Sequence, residues 1–521
     1  MRPINRALLS VARRAERVSA EQLVASFVDV GALSASVSVQ DHQVIYGRRG
    51  TGKTHVLSFL GSEALRRKDI VINVDLRTLG STGGVYADPN LPLPERATRL
   101  ISDLLWTLHD GIMEYAIDDE STDFQTIQNR LDALRDSISE VKVVGQETQS
   151  SVTSESKARS FTAAVGFTGS AIPAISAGVG ASKALANGEM LSHSVTGESK
   201  HRIHFGNVSN NLKELGSVFS GKRVWLLLDE WSEIPLDLQP YLADLLRRTI
   251  FPVQSIVVKI AAIEQRTNFR ISDSAAGYIG IEIGADAAAS LTLDDFMVFD
   301  NNAEKATAFF KTLLWKHVIT AAEPNSGLAI LSESTFTSET FTQINALQEL
   351  VRAAEGVPRD AINIAALAAQ VSDDRNISVA DIRVAARQWY QQSKESAVAS
   401  RERANDLLHW IREKVIGNRR ARAFLLPSDA QSELIDFLYD SRVLHVIKKG
   451  VSSHDTPGIR YNVYAIDYGC YVDLISTTNA PAGLFEIESG DQKDSSEFVQ
   501  VPVTDYRSIR RAILDLGEFE G

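Results

Sequence analysis

The eight residues Gly47, Arg48, Arg49, Gly50, Thr51, Gly52, Lys53 and Thr54 constrain this chain more than any other segment. They fit G-x-x-x-x-G-K-[ST] without a deviation. A short stretch that reads as a strand, His42 to Tyr46, leads into the motif. Val56, Leu57, Phe59, Leu60, Ala64 and Leu65 leave it at helical spacing. Strand, glycine loop and helix in that order is the setting in which the pattern has a physical purpose. Glycines tolerate the unusual φ angles that turn backbone N–H groups onto a polyphosphate, and the helix N-terminus behind them adds its dipole. Lys53 is placed to meet the β- and γ-phosphates, and the Thr54 hydroxyl to meet Mg²⁺. ATP and Mg²⁺ are therefore the expected ligands of this loop.

A second pair carries the rest of the chemistry. The apolar run Val224 to Leu228 ends in Asp229-Glu230. An aspartate at the carboxyl end of a buried strand assists the metal, so Thr54 and Asp229 are the expected magnesium residues. Glu230 is the expected base that polarises the attacking water, which makes hydrolysis the expectation rather than binding alone. Further apolar runs, Ile70 to Leu76, Ser255 to Ile263 and a weaker one at Tyr278 to Ile283, alternate with helical stretches. Continuous apolar strands separated by helices predict an α/β fold with a parallel sheet covered on both faces.

Composition sets the limits on partners. The 54 basic and 66 acidic residues leave a net charge of −12, so any contact with nucleic acid has to be local. With 44% apolar and 23% charged residues, the 521-residue chain is of ordinary globular make-up and long enough for several domains. Cys470, the one cysteine, has no partner for an internal disulfide, which suits a reducing compartment. No apolar run reaches membrane length. The arginine-rich start, Met1 to Arg17, lacks a secretory core and suits a surface helix better than an organellar presequence, so a cytoplasmic location is expected.

Along the chain, residues 1–40 read as an N-terminal helical segment and 41–300 as the nucleotide-binding core, interrupted by an insertion at about 103–215. Residues 301–400 read as a small helical domain, with Ser378 placed to cap one of its helices. In the insertion, Asp103 to Val141 is helical by pattern. Ser160 to Ser182 carries no charge, and its alternating Phe161, Ala163, Val165 and Phe167 fit a β-hairpin as well as a flexible loop. In 401–476, helices at Leu407–Val415 and Asp429–Leu438 precede two strands, Val443–Lys448 and Tyr461–Ile466, that flank a Ser/Gly/Pro loop. That is the outline of a winged helix. The tail, 477–521, reads as loop until a closing helix over Asp505–Leu516. Residues 401–473 hold 11 Lys or Arg against 10 Asp or Glu. Arg419, Arg420, Arg422, Lys448 and Lys449 form local positive clusters, while the helix with Asp429, Glu433 and Asp436 is acidic. Duplex DNA and protein docking both stay open as uses of this domain.

This order of parts, from Asp41 to about Ile475, resembles the AAA+ ATPases of the origin-recognition and helicase-loader type, which are related to the STAND ATPases. The resemblance makes Gly47–Thr54 the Walker A segment and Leu226–Glu230 the Walker B. It makes 301–400 the lid, and Gly356-Val357-Pro358-Arg359 the sensor-two segment, from which Arg359 reaches the γ-phosphate. Sensor one departs from the pattern: Glu264-Gln265-Arg266-Thr267-Asn268 follows the fourth strand, and Gln265 or Asn268 is left to serve. Arg266 and Arg270 lie where the family's trans-acting arginine finger tends to lie, and either fits an ordinary surface arginine equally well. A finger at Arg270 implies a homo- or hetero-oligomer. In several AAA+ groups an insert like Ser160–Ser182 touches the substrate. The resemblance implies an ATP-hydrolysing switch acting on DNA or a DNA-bound complex, or, alternatively, a STAND-like signalling or antiphage-defence ATPase whose winged helix is regulatory.

Overall fold

The structure is a computed structural model. It describes residues 1–12, 18–29, 33–79, 88, 90–119, 123–138, 141–152, 190–201, 203–219, 221–273, 277–294, 303–322, 328, 331–417, 423–430, 432–452, 458–475 and 513–520. Its strands, in chain order, are β1 (Gln43–Tyr46), β2 (Ile70–Asp75), β3 (Val141–Val152), β4 (Met190–His201), β5 (Val224–Asp229), β6 (Ile256–Ala262), β7 (Arg270–Asp273), β8 (Gly277–Gly280), β9 (Ala288–Thr292), β10 (Ala423–Pro427), β11 (Leu444–Ser452) and β12 (Arg460–Ile466).

Five of them make one sheet in the order β2-β5-β6-β1-β9, every pairing parallel. β5 lies in its interior, and its alternate residues serve two cores. Trp225 and Leu227 pack with Leu57, Leu60 and Ala64 of the helix Lys53–Arg66. Val224, Leu226 and Leu228 pack with Leu104, Leu105, Leu108 and Leu212 on the other face. Burial on both faces is why this strand is apolar from Val224 to Leu228, up to Asp229 at its end. Parallel pairing also brings the carboxyl ends of β1, β2, β5 and β6 to one edge, where open α/β sheets bind ligands.

The fifth strand is not the one read from sequence. Tyr278–Ile283 does not join the sheet; Gly277–Gly280 pairs instead with Arg270–Asp273 as a small antiparallel hairpin. Gly280, at φ +117°, ends it, and a Cβ there would stand 2.0 Å from the Phe269 carbonyl oxygen. The edge strand is Ala288–Thr292, whose small and polar residues gave no strand signal. In the insertion the helical stretch is two helices, Leu93–Asp118 and Phe124–Ile138, and Val141 already belongs to β3. β3 and β4 form an antiparallel ribbon from Val141 opposite His201 to Val152 opposite Met190. Ser160–Ser182 lies outside the described residues.

The helices Ala303–Ala321, Glu333–Thr340, Ile344–Ala354, Pro358–Ser372 and Val379–Tyr390 follow the sheet. Ser378 caps the last of them in a reciprocal box with Asp381. The first helix, Pro3–Ser10, docks here too: the Asn5 side-chain amide donates to the carbonyls of Asp373 and Arg375 at 2.9 and 3.1 Å. Beyond it, helices Glu402–Ile411 and Glu433–Asp440 pack on a three-stranded antiparallel sheet, β10-β12-β11. β10 was not foreseen from sequence, and Arg419, Arg420 and Arg422 lie outside the described residues. Of the tail helix expected at Asp505–Leu516, only the last residues are described, and a short helix runs instead over Leu516–Glu520. No helix of the described residues is long and apolar enough to cross a membrane.

Candidate nucleotide site

The glycine loop closes between β1 and the helix Lys53–Arg66. Gly50 and Gly52 sit at φ +89° and +96°, where only glycine is unstrained. Gly50 also meets a second element. A Cβ there would stand 2.9 Å from the Arg359 Cβ, and the Arg359 backbone N–H donates to the Gly50 carbonyl at 3.2 Å. The start of the helix Pro358–Ser372 thus rests on the loop.

Lys53 is buried and donates to the carbonyls of Gly47 and Arg48 at 2.8 and 3.1 Å. Burial lowers its pKa, opposed by the nearby Glu230 and Asp229 carboxylates. The Thr54 hydroxyl donates to Asp229 at 2.6 Å, joining the two expected magnesium residues. The register that sets Asp75 beside Asp229 brings the ends of β2 and β5 together. Glu230 follows in the left-handed region, at φ 56°. Burial, and then the Asp229 charge, raise its pKa, while Lys53 and Arg77 pull it back.

Arg49, Gly50, Gly52, Lys53, Thr54, Glu230 and Arg359 line one cavity of about 550 Å³, within the roughly 300–1,000 Å³ of small-molecule sites. Sequence reasoning missed three further contributors. Arg77, held by Asp75 through Nη2 at 2.7 Å, stands 3.8 Å from Glu230. Glu233 pairs with Arg49 at 2.6 Å. The N-terminal segment lines the same cavity through Val11, Val18 and Leu23. Only the charge of Arg77 and Glu233 could have flagged the first two, and the third needed the fold.

The other predicted residues lie apart from this cavity. Arg270 pairs with Glu282 at 3.0 Å and lies over the Tyr278 ring. Arg266 faces Asp440 of its own winged domain at 3.5 Å. Gln265 and Asn268 do not line the cavity, although Asn268 donates its backbone N–H to Gln239.

Arg48 points the other way, into the winged domain. Its Nε bonds Asp294 at 2.7 Å, Nη2 donates to the Glu355 carbonyl at 3.0 Å, and Nη1 donates to Nδ1 of His445. The opposite ring nitrogen of His445 then carries the proton and donates to Asp467 at 3.2 Å. Lys394 pairs with both Asp467, at 2.6 Å, and Asp360, at 2.9 Å. Asp360, the residue after Arg359, is also paired with Arg442. Burial, reinforced by the Arg48 charge, pushes His445 down to about 3, so the ring is neutral. Burial works against the Asp467 charge, but Lys394 and His445 hold that carboxyl far below its usual range.

A parallel sheet carrying a glycine loop, a helical domain resting on that loop and a small antiparallel sheet beyond it define an α/β protein. Residues 10–90, which include the glycine loop, match the model of the ORC-CDC6-like family, and over that span the resemblance read from the motifs is borne out. No curated protein matches the sequence. Among solved structures, the Orc1 protein of Aeropyrum pernix in complex with DNA aligns over 85% of this chain and 92% of its own, at 12% identity and a TM-score of 0.30. A likeness this remote transfers no function.

Proposed function

We propose that the chain is an ATP-binding, ATP-hydrolysing switch. One observation carries this: Lys53, Thr54, Glu230 and Arg359, from three separated stretches of sequence, line a single cavity beside Asp229. The residues fit a magnesium-bound triphosphate. Gly50, Gly52 and Lys53 would hold the phosphates, and Thr54 with Asp229 the ion, which supplies neutralisation of developing charge on the phosphoryl oxygens. Glu230 would take the proton of the attacking water, and Arg359 would report the γ-phosphate to the lid. Lys53 first has to leave the carbonyls of Gly47 and Arg48. A bound phosphate, offering charged acceptors in place of neutral ones, supplies the reason to move.

The proposed readout is the winged domain. Arg48 and Asp360 each neighbour a residue of the cavity and belong to the buried network that ends in His445, Asp467 and Arg442. The reading in which the winged helix acts on DNA and the reading in which it is a regulatory element make opposite predictions for this arrangement. Lys449 of β11 pairs with Glu264 of the core at 2.8 Å, and that engagement favours the regulatory reading.

The test is nucleotide binding and turnover of wild type, Lys53→Ala and Glu230→Gln, with and without duplex DNA. Lys53→Ala should lose nucleotide affinity. Glu230→Gln should keep it and lose about 100-fold or more of turnover. Wild-type turnover in Glu230→Gln would remove the assigned base. DNA-stimulated, salt-sensitive turnover would favour the DNA reading, and slow turnover with retained nucleotide the regulatory one.

A further inference from the structure

The end of the helix Glu433–Asp440 is where the winged domain is clamped to the glycine loop. The Arg48 guanidinium lies over the Tyr439 ring, 5.4 Å from its centroid. Asp440, the next residue, faces Arg266 of the core through Oδ2 at 3.5 Å. Arg442, two residues on, is paired with Asp360 of the lid. These contacts fix where the Asp440 carboxylate stands.

That place is a poor one for an anion. Oδ1 is buried and accepts no hydrogen bond among the described residues, and a sealed carboxylate oxygen without a donor is costly. Burial, reinforced by Asp436, pushes the carboxyl up to about 6, although Arg266, Arg49 and Lys53 all pull it down. Asp440 is not among the residues that line the cavity, but Arg49 and Lys53 are. A carboxylate of the winged domain and the polyphosphate of a nucleotide therefore draw on the same two cations. A triphosphate held by Lys53 neutralises them and adds negative charge of its own, in surroundings that screen it less than water does.

We propose that Asp440 is a specificity-determining residue of the nucleotide site, setting the docked winged domain against the γ-phosphate. This rests on the nucleotide reading above. While the domain is docked, Asp440 disfavours ATP relative to ADP, because the third phosphate brings further negative charge. Linkage makes the effect reciprocal, so ATP disfavours docking by the same factor. Arg359 of the lid and Asp440 of the winged domain answer one phosphate with opposite signs.

The test measures ATP and ADP binding by calorimetry, well above pH 6 so that Asp440 is ionised, at low and at high salt. It compares wild type, Asp440→Asn, Asp440→Glu and Arg266→Gln. Asp440→Asn removes the charge and keeps the shape. It should raise the preference for ATP over ADP about 5-fold or more, the low end of the usual coupling between two sites, and the gain should shrink at high salt. Asp440→Glu keeps the charge and should stay near wild type. Arg266→Gln breaks the same ion pair but leaves the Asp440 charge in place, so it should not raise the preference. An unchanged preference in Asp440→Asn, or the same gain in Arg266→Gln, would reduce Asp440 to a docking contact and overturn the assignment, with the nucleotide reading intact. A wild-type protein that binds neither nucleotide would overturn both.

Discussion

Glu230 and Arg77 show how far a single side chain is set by its neighbours. Burial and Asp229 raise the Glu230 pKa above its ordinary 4.5, and Lys53 and Arg77 oppose them. A base with a raised pKa is protonated, and lost, at a higher pH as acid is added. The acid limb of turnover should therefore lie above 4.5 in wild type. Arg77→Gln, which removes one of the opposing charges, should move that limb further up, and Arg77→Lys should bring it back. A pH–rate profile of the three proteins checks this, and coincident limbs would show that Arg77 does not act on Glu230. Arg77 lies two residues beyond Asp75, in a turn without a motif, and was not legible before the strand ends were brought together.

At the scale of elements, the contact that matters most joins the glycine loop to the helix Pro358–Ser372. Gly50 needs a positive φ, and its missing Cβ leaves room for Val357 and Arg359. Gly50→Ala combines backbone strain of about 1–3 kcal/mol with a clash against the lid. It should weaken nucleotide binding by more than 10-fold with little change in far-ultraviolet circular dichroism, and titration calorimetry reads the loss. Gly50 fills one of the unspecified positions of the motif, so the need for glycine here comes from its backbone, at φ +89°. The identity of the residue that would collide with alanine is a tertiary fact. The edge strand shows the same division: an apolar run was legible at Tyr278–Ile283, but Gly280 diverts it and Ala288–Thr292 pairs with β1 instead.

Across the whole molecule, the buried charges bind the winged domain to the glycine loop. Arg48, Lys394 and Arg442 face Asp294, Asp360 and Asp467, with neutral His445 between. Buried ion pairs of this kind add little net stability, but removing one partner costs about 3–5 kcal/mol because the other is left uncompensated. Asp467→Asn should therefore release the winged domain, seen as a larger radius of gyration in solution scattering. Acid should do the same. Docked His445 titrates at about 3 against its ordinary 6.5, so undocking gains a proton between those values. Docking is then fully favourable above pH 6.5 and is lost progressively as pH falls toward 3. Asp467, its pKa also depressed, adds in the same direction below its ordinary 3.8. A radius unchanged between pH 8 and pH 5 would remove His445 from the linkage.

Local chemistry was readable from the chain alone. The glycine loop, the apolar run before Asp229-Glu230, the Pro-Arg start of the later helix and the two-stranded wing each declare themselves within about ten residues, because φ preferences, strand burial and helix starts are short-range effects. What those segments face was decided only by folding. Arg48 lies 397 residues from His445, and Val11 and Leu313 meet across the same hollow. Burial and pairing across such distances have no periodicity to read. They exist once the parallel sheet has brought its strand ends to one edge and the lid and winged domain have closed over them.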